Sequence, residues 1–242
     1  MKDIRLALMT GVDIPIPELQ LILHQPNIIE ISMIGEQDFF SAIHYLSLQK
    51  ESLIEDKALL QQLSNFQVLM KVISQPNFLD KKNAILDTLS LLFPNYAIMF
   101  TPQSIIMTKE ETTVMIDNNN FDILQNILKE TFCVNSIFQG DNITYNPANA
   151  KAKEIADKLM RGRQKAAQLK EANNESVLTR YMSILTIGSI LTLQQCKELT
   201  IFQLFDLIER YNLFTEWDIN LKVRLAGGDP KSEAENWMKN IH

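Results

Sequence analysis

Histidine, cysteine and glycine are scarce in this chain, with three, two and seven among 242 residues. His24, His44 and His242 form no HExxH or HxxxH pair, and Cys133 and Cys196 make no CxxC spacing. The usual zinc motifs are therefore absent from the sequence. The glycines fall in no GxGxxG and no GxxxxGK[ST] run, so no phosphate cradle is written into the chain, and no GxSxG elbow presents a serine nucleophile. No stretch of 18 apolar residues occurs, and a transmembrane helix is not expected. The opening MKDIRLALMTGVDIPIPEL lacks an uninterrupted apolar segment and does not read as a signal peptide. A cytoplasmic protein with reduced core thiols is the expectation, without membrane association.

Charge excludes a further class. The net charge is −6 and the pI is near 5.2, so a protein-wide nucleic-acid footprint is not expected. Asp117 with Asn118, Asn119 and Asn120 superficially resembles an oxygen-ligand loop, but it lacks the central glycine and closing glutamate of a calcium site. A turn or helix cap is the expected role. No catalytic residue, cofactor site or metal site is assigned, and the chain reads as a non-enzyme.

What is present is apolar material for a core. Hydrophobic residues make up 46% and charged residues 21%, values that argue against wholesale disorder. The first 34 residues read as strands, because Ile4, Leu6 and Leu8 alternate, as do Leu19, Leu21 and Leu23, and then Ile29, Ile31 and Met33. Ile14-Pro15-Ile16-Pro17 must be extended, since each proline pushes its predecessor out of the helical region. Helices are expected over 36–49, 51–63, from Asn65 as cap through Ile73, and over 80–93. Tyr96–Phe100 reads as a strand, 104–108 and 112–116 as a hairpin turning at Lys109-Glu110-Glu111, and 121–132 as a helix.

Residues 136–146 are polar and read as a linker between a mixed α+β domain (1–135) and a helical domain (147–242) with a tail from Asp229. Within the second part, helices are expected from Pro147 to about Glu171, over 175–186, over 193–199, and through Phe202–Ile208. Thr215 reads as the cap of a separate last helix, and the 181–193 stretch as a buried helix followed by a turn. The fold class is thus α+β: a small, mostly antiparallel sheet with packed helices, then an all-helical region.

Three surfaces are candidates for a partner. The first is the proline-bearing strand with Ile14 and Ile16, as an edge open to pairing. The second is the stretch from Lys151 to Lys170, in which Lys158, Arg161, Arg163 and Lys165 stand among seven basic residues against Glu154 and Asp157. Such a run is commonly a solvated face, and otherwise fits an acidic protein or phosphates. It lacks the interleaved aromatics of a single-strand binder. The third is the tail, where Trp237 and Met238 lie beyond a Gly-Gly-Asp-Pro break and must dock on their own domain or on a partner to be ordered. Phe202, Phe205, Tyr211, Phe214 and Trp217 read mostly as core.

Three stretches carry a resemblance: VDIPIPELQLILHQPNIIEISMIGEQDFF near the start, NPANAKAKEIADKLMRGRQKAAQLK, and TIFQLFDLIERYNLFTEWDINLKVRLAGG followed by the closing ENWMKNIH. Together they resemble small phage proteins of the tail or baseplate assembly type, among them tail assembly chaperones. The resemblance lies in packing patterns and not in catalytic signatures. It implies a non-catalytic role holding tail proteins during virion assembly, in the host cytoplasm, with other tail or baseplate proteins or a further copy of the chain as partners. A structural component of the tail, baseplate or connector in the virion is the alternative. Nucleic-acid binding through 151–170 is a further alternative, disfavoured by the acidic balance.

Overall fold

A computed structural model describes residues 4–50, 62–134, 176–227 and Met238. The chain begins with helix α1 (Ile4–Thr10), followed by strands β1 (Ile14–Ile16) and β2 (Leu21–Leu23) joined by a single 3-10 turn at Pro17–Leu19. Helices α2 (Ile28–Ile34), α3 (Glu36–Ser47), α4 (Asn65–Ile73) and α5 (Leu79–Leu92) come next. Strands β3 (Ala97–Phe100), β4 (Ile105–Lys109) and β5 (Thr112–Ile116) form an antiparallel meander ahead of helix α6 (Phe121–Thr131). The C-terminal region contains α7 (Val177–Ile187), α8 (Leu193–Glu198) and the long α9 (Ile201–Leu225). The expected class is observed: small antiparallel sheets with packed helices, then, among the described residues, a helical C-terminal region.

Two expected strands are helices. In α1, Leu8 is buried while Leu6 is exposed. Ile4 and Leu8, four residues apart, share the inward face, a spacing that short alternation does not exclude. In α2, Ile28 and Ile31 are buried, whereas Ile29 and Met33 are exposed. The helical signal was Asn27-x-x-Glu30. The Asn27 side chain accepts from the Glu30 amide at 3.0 Å, and the Glu30 carboxylate accepts from the Asn27 amide at 2.8 Å. This is a complete capping box, and it outweighs the alternation. Gly35, with φ +102, lets the chain turn directly from α2 into α3.

Two other boundaries differ. The cap of α4 is Ser64, not Asn65, and Ser64 and Gln67 form another capping box. Asn65 instead accepts from the Lys50 amide at 2.9 Å and donates to Gln125 Oε1 at 3.1 Å. Buried Gln125 in turn donates to the Leu46 and Leu48 carbonyls at 3.2 and 2.8 Å. Those carbonyls lie at the end of α3, where intrahelical donors run out, so α6 and α4 jointly close the α3 terminus. Thr215 does not start a new helix. Its hydroxyl donates to the Tyr211 carbonyl at 2.7 Å and α9 runs through it.

One hydrophobic core runs from Leu8 to Ile208. α3 packs on α5 and α6, and α5 supports β3. Phe39, fully buried on α3, meets Phe132 edge to face at 5.4 Å, a favoured aromatic geometry. The C-terminal helices join this core: α8 packs on α2, and α9 on α1. Gln203, in the capping box of α9, donates to the Met9 carbonyl at 2.8 Å and closes the end of α1. Residues 51–61 of the helix expected over 51–63, the 136–146 linker and the 147–171 helix all lie outside the described residues.

Candidate interaction surface

Glu36 begins the surface. It stands in the first turn of α3, and its carboxylate also faces the start of α7. Oε1 accepts from the Val177 amide at 2.7 Å and the Leu178 amide at 3.1 Å, while Oε2 accepts from the Ser176 hydroxyl. One carboxylate thus serves two helix N-termini, where negative charge is favoured. Below it, α2 and the α7–α8 pair enclose a cleft of about 520 Å³. Ile29, Leu178 and Met182 give it an apolar wall, and Ser32, Gln194 and Lys197 a polar rim. A few polar groups at the edge of an apolar cleft are what a docking side chain uses for orientation.

The cleft adjoins an apolar tip. No charged residue occurs between Tyr181 and Cys196. At the turn from α7 into α8, Ile187 is 84% exposed, Leu193 50% and Ile190 40%. The expected helix followed by a turn is there, but the helix is buried on one face only: Leu185 faces the core, and Ile187, Ile190 and Leu193 do not. Gly188 caps α7 beside Tyr211 of α9. A Cβ at Gly188 would lie 3.1 Å from the tyrosine ring and 3.2 Å from the Ile184 carbonyl, so any side chain there would push the Tyr211 ring back by a few tenths of an ångström.

α9 itself changes character along its length. Ile201, Phe202, Leu204, Phe205 and Ile208 are buried, but beyond Ile208 the helix has no buried residue among those described. Phe214 and Trp217, expected in the core, are 43% and 37% exposed. A second groove of about 870 Å³ lies between α4 and the loops at Pro102 and Asn118, with Phe66 and Met70 at its base.

The candidates from sequence are placed differently. Ile14 and Ile16 are buried and pair with Leu23 and Leu21, so their side chains serve the core. The outward face of that hairpin carries Pro15 and Ile22. Met238 is 68% exposed. Lys158, Arg161, Arg163, Lys165 and Trp237 lie outside the described residues. The apolar tip was missed by the sequence reading, although its uncharged run was the signal.

The titratable groups have structural surroundings. His24 bridges Asp13 at 2.9 Å and Glu30 at 3.3 Å, tying β2 to α2. Burial lowers the His44 pKa. Asp117 accepts from the Asn119 amide, and Asn120 accepts from the Asp117 amide, both at 2.8 Å, which makes the Asn-rich loop a turn before α6. Among the described residues no group of three His, Cys, Asp or Glu side chains could hold a metal ion, and no helix is long and apolar enough to cross a membrane.

Both cysteines are buried and free. Burial pushes the Cys133 thiol from its ordinary 9.0 up to about 12, with Glu209 and Asp206 of α9 adding to the shift. Below pH 9 the thiol is protonated whether folded or unfolded, and its contribution is fully present. Above pH 9 the unfolded chain releases the proton and the folded chain retains it. Stability then falls by about 1.4 kcal/mol per pH unit towards pH 12 from this group. Urea midpoints at about pH 8 and about pH 10.5 should show a shallower loss for Cys133→Ala than for the parent. Equal slopes would show that the Cys133 thiol does not carry the alkaline loss of stability.

Comparison with curated proteins and with solved structures finds no match. Residues 170–242 match the family described as YomV second domain, a phage-derived family name. The match takes in α7, α8 and α9, and with them the apolar tip and one wall of the cleft. The C-terminal third is therefore similar to a phage-associated domain.

Proposed function

We propose that the protein is a non-enzymatic phage assembly protein, a chaperone or scaffold that holds tail or baseplate proteins while the virion is built. The observation that carries this reading is the coincidence of two features in one segment. The stretch similar to a phage-associated domain also presents Ile187, Ile190 and Leu193 to solvent beside an apolar cleft. An exposed apolar patch with a polar rim is suited to gripping apolar segments of another protein before they are buried in an assembly.

The test is affinity capture from cells producing the phage, with the parent and with Ile187→Glu/Leu193→Glu. Both residues are exposed, so the double variant should fold. The parent should recover a tail or baseplate protein, and the variant should recover at least about tenfold less, as expected when interface anchors are replaced by charge. Equal recovery by both, or no tail or baseplate protein with the parent, would contradict the proposal.

A further inference from the structure

The exposed half of α9 carries an apolar stripe of a particular symmetry. Phe214, Trp217, Leu221 and Leu225 follow i, i+3, i+7, i+11 spacing and share one face of the helix. All four are exposed, at 43%, 37%, 39% and 79%. Beside the stripe, Asp218 and Lys222 lie on one flank, joined within the chain at 2.5 Å. Arg224 lies on the other flank, on the same side as Trp217.

These residues are spaced about symmetrically around Asn220, with complementary side chains at matching positions. Phe214 and Leu225 are nearly equidistant from it, as are Trp217 and Arg224, and Asp218 and Lys222, while Leu221 sits at the centre. Each pair also shares one flank. In an antiparallel two-fold pair of helices, a flank faces the same flank of the partner, and residues equidistant from the axis meet. Phe214 would meet the partner's Leu225, an apolar pair. Asp218 would meet the partner's Lys222, an ion pair. Trp217 would meet the partner's Arg224, a cation over an aromatic face. Parallel pairing would instead turn each flank towards the partner's opposite flank, so Asp218 would no longer meet Lys222.

We propose that this half of α9 is a self-association face, occupied by the same helix of a second copy running antiparallel, with the two-fold axis near Asn220. Self-complementarity selects a second copy over an unrelated protein, whose surface would need no such symmetry. The face spans roughly three helical turns, so the buried area falls below about 1,200 Å², the range of weak and transient pairs. The dimer is concentration-dependent and independent of which protein the α7–α8 tip holds.

Sedimentation equilibrium of the full chain over about 1–500 µM should show a monomer–dimer equilibrium. Leu221→Glu should raise the dimer Kd at least about tenfold with an unchanged helical circular-dichroism spectrum. Asp218→Lys alone and Lys222→Glu alone should each fail to self-associate, because each sets like charges together. Mixed in equal amounts, the two variants should form a one-to-one heterodimer. A monomer at every concentration overturns the proposal and leaves the face to residues 229–242 or to another protein. A dimer indifferent to Leu221→Glu, or a mixture that stays monomeric, overturns it as well.

Discussion

Phe39→Ala lowers the unfolding free energy by about 3–5 kcal/mol, the range for truncating a fully buried phenylalanine. Phe39 has no exposed surface, and its ring is held edge to face by Phe132 and by Phe40. Phe132 closes α6, and Cys133 beyond it lies within the field of Asp206 and Glu209 on α9. The cavity therefore opens where the mixed and helical parts of the core come together. Against a typical total of about 5–15 kcal/mol, the loss is a large fraction, and the Tm should fall by about 10 °C. Urea and thermal unfolding measure it. A loss under about 1 kcal/mol would mean that the site collapses freely, contrary to the close packing described.

Glu36→Ala should cost about 2–3 kcal/mol, because it removes a charged acceptor from three donors at once. The effect should also be local. Hydrogen exchange at the Val177 and Leu178 amides should accelerate, since these are the donors that lose their acceptor. Glu36→Gln keeps one carbonyl oxygen and should recover part of the loss. Protection at both amides unchanged in Glu36→Ala would show that α7 is capped by something else. This contact spans about 140 positions of sequence, and it fixes the head of the cleft.

Much of the architecture was legible in the residues. The helices at 36–47 and 79–92, the strand before Pro102, the hairpin and α6 follow from apolar periodicity and breakers, and they occur within a residue or two of where the pattern puts them. The two misread strands have one physical root. Over three or four apolar residues, alternation and one helical face are not separable, so α1 and α2 were read as strands. Asn27-x-x-Glu30 could have decided α2, as Ser64-x-x-Gln67 could have placed the start of α4.

The surface was harder to read. An isoleucine carries the same sequence signal whether it fills a core or faces water, so Ile14 and Ile16 looked available and Ile187 looked buried. Which side of a short element faces inward depends on what packs across it, here α2 against α8 and α1 against α9. No local pattern contains that pairing. The symmetric spacing of complementary residues in 214–225 is in the sequence, but it acquires meaning only because α9 runs unbroken through Thr215 and leaves the core after Ile208.

The proposed function therefore stands on the C-terminal helices. They carry the similarity to a phage-associated domain, the exposed tip and the symmetric face, while the mixed N-terminal part supplies most of the core and the other wall of the cleft. If the protein is a chaperone, it must be present during assembly and leave before completion. Quantitative mass spectrometry of tail-assembly intermediates and of purified finished particles tests this directly. The chain should be present in the intermediates, together with a tail or baseplate protein, and absent from finished particles. Stoichiometric retention in the finished particle would contradict it and make the protein a permanent part of the virion.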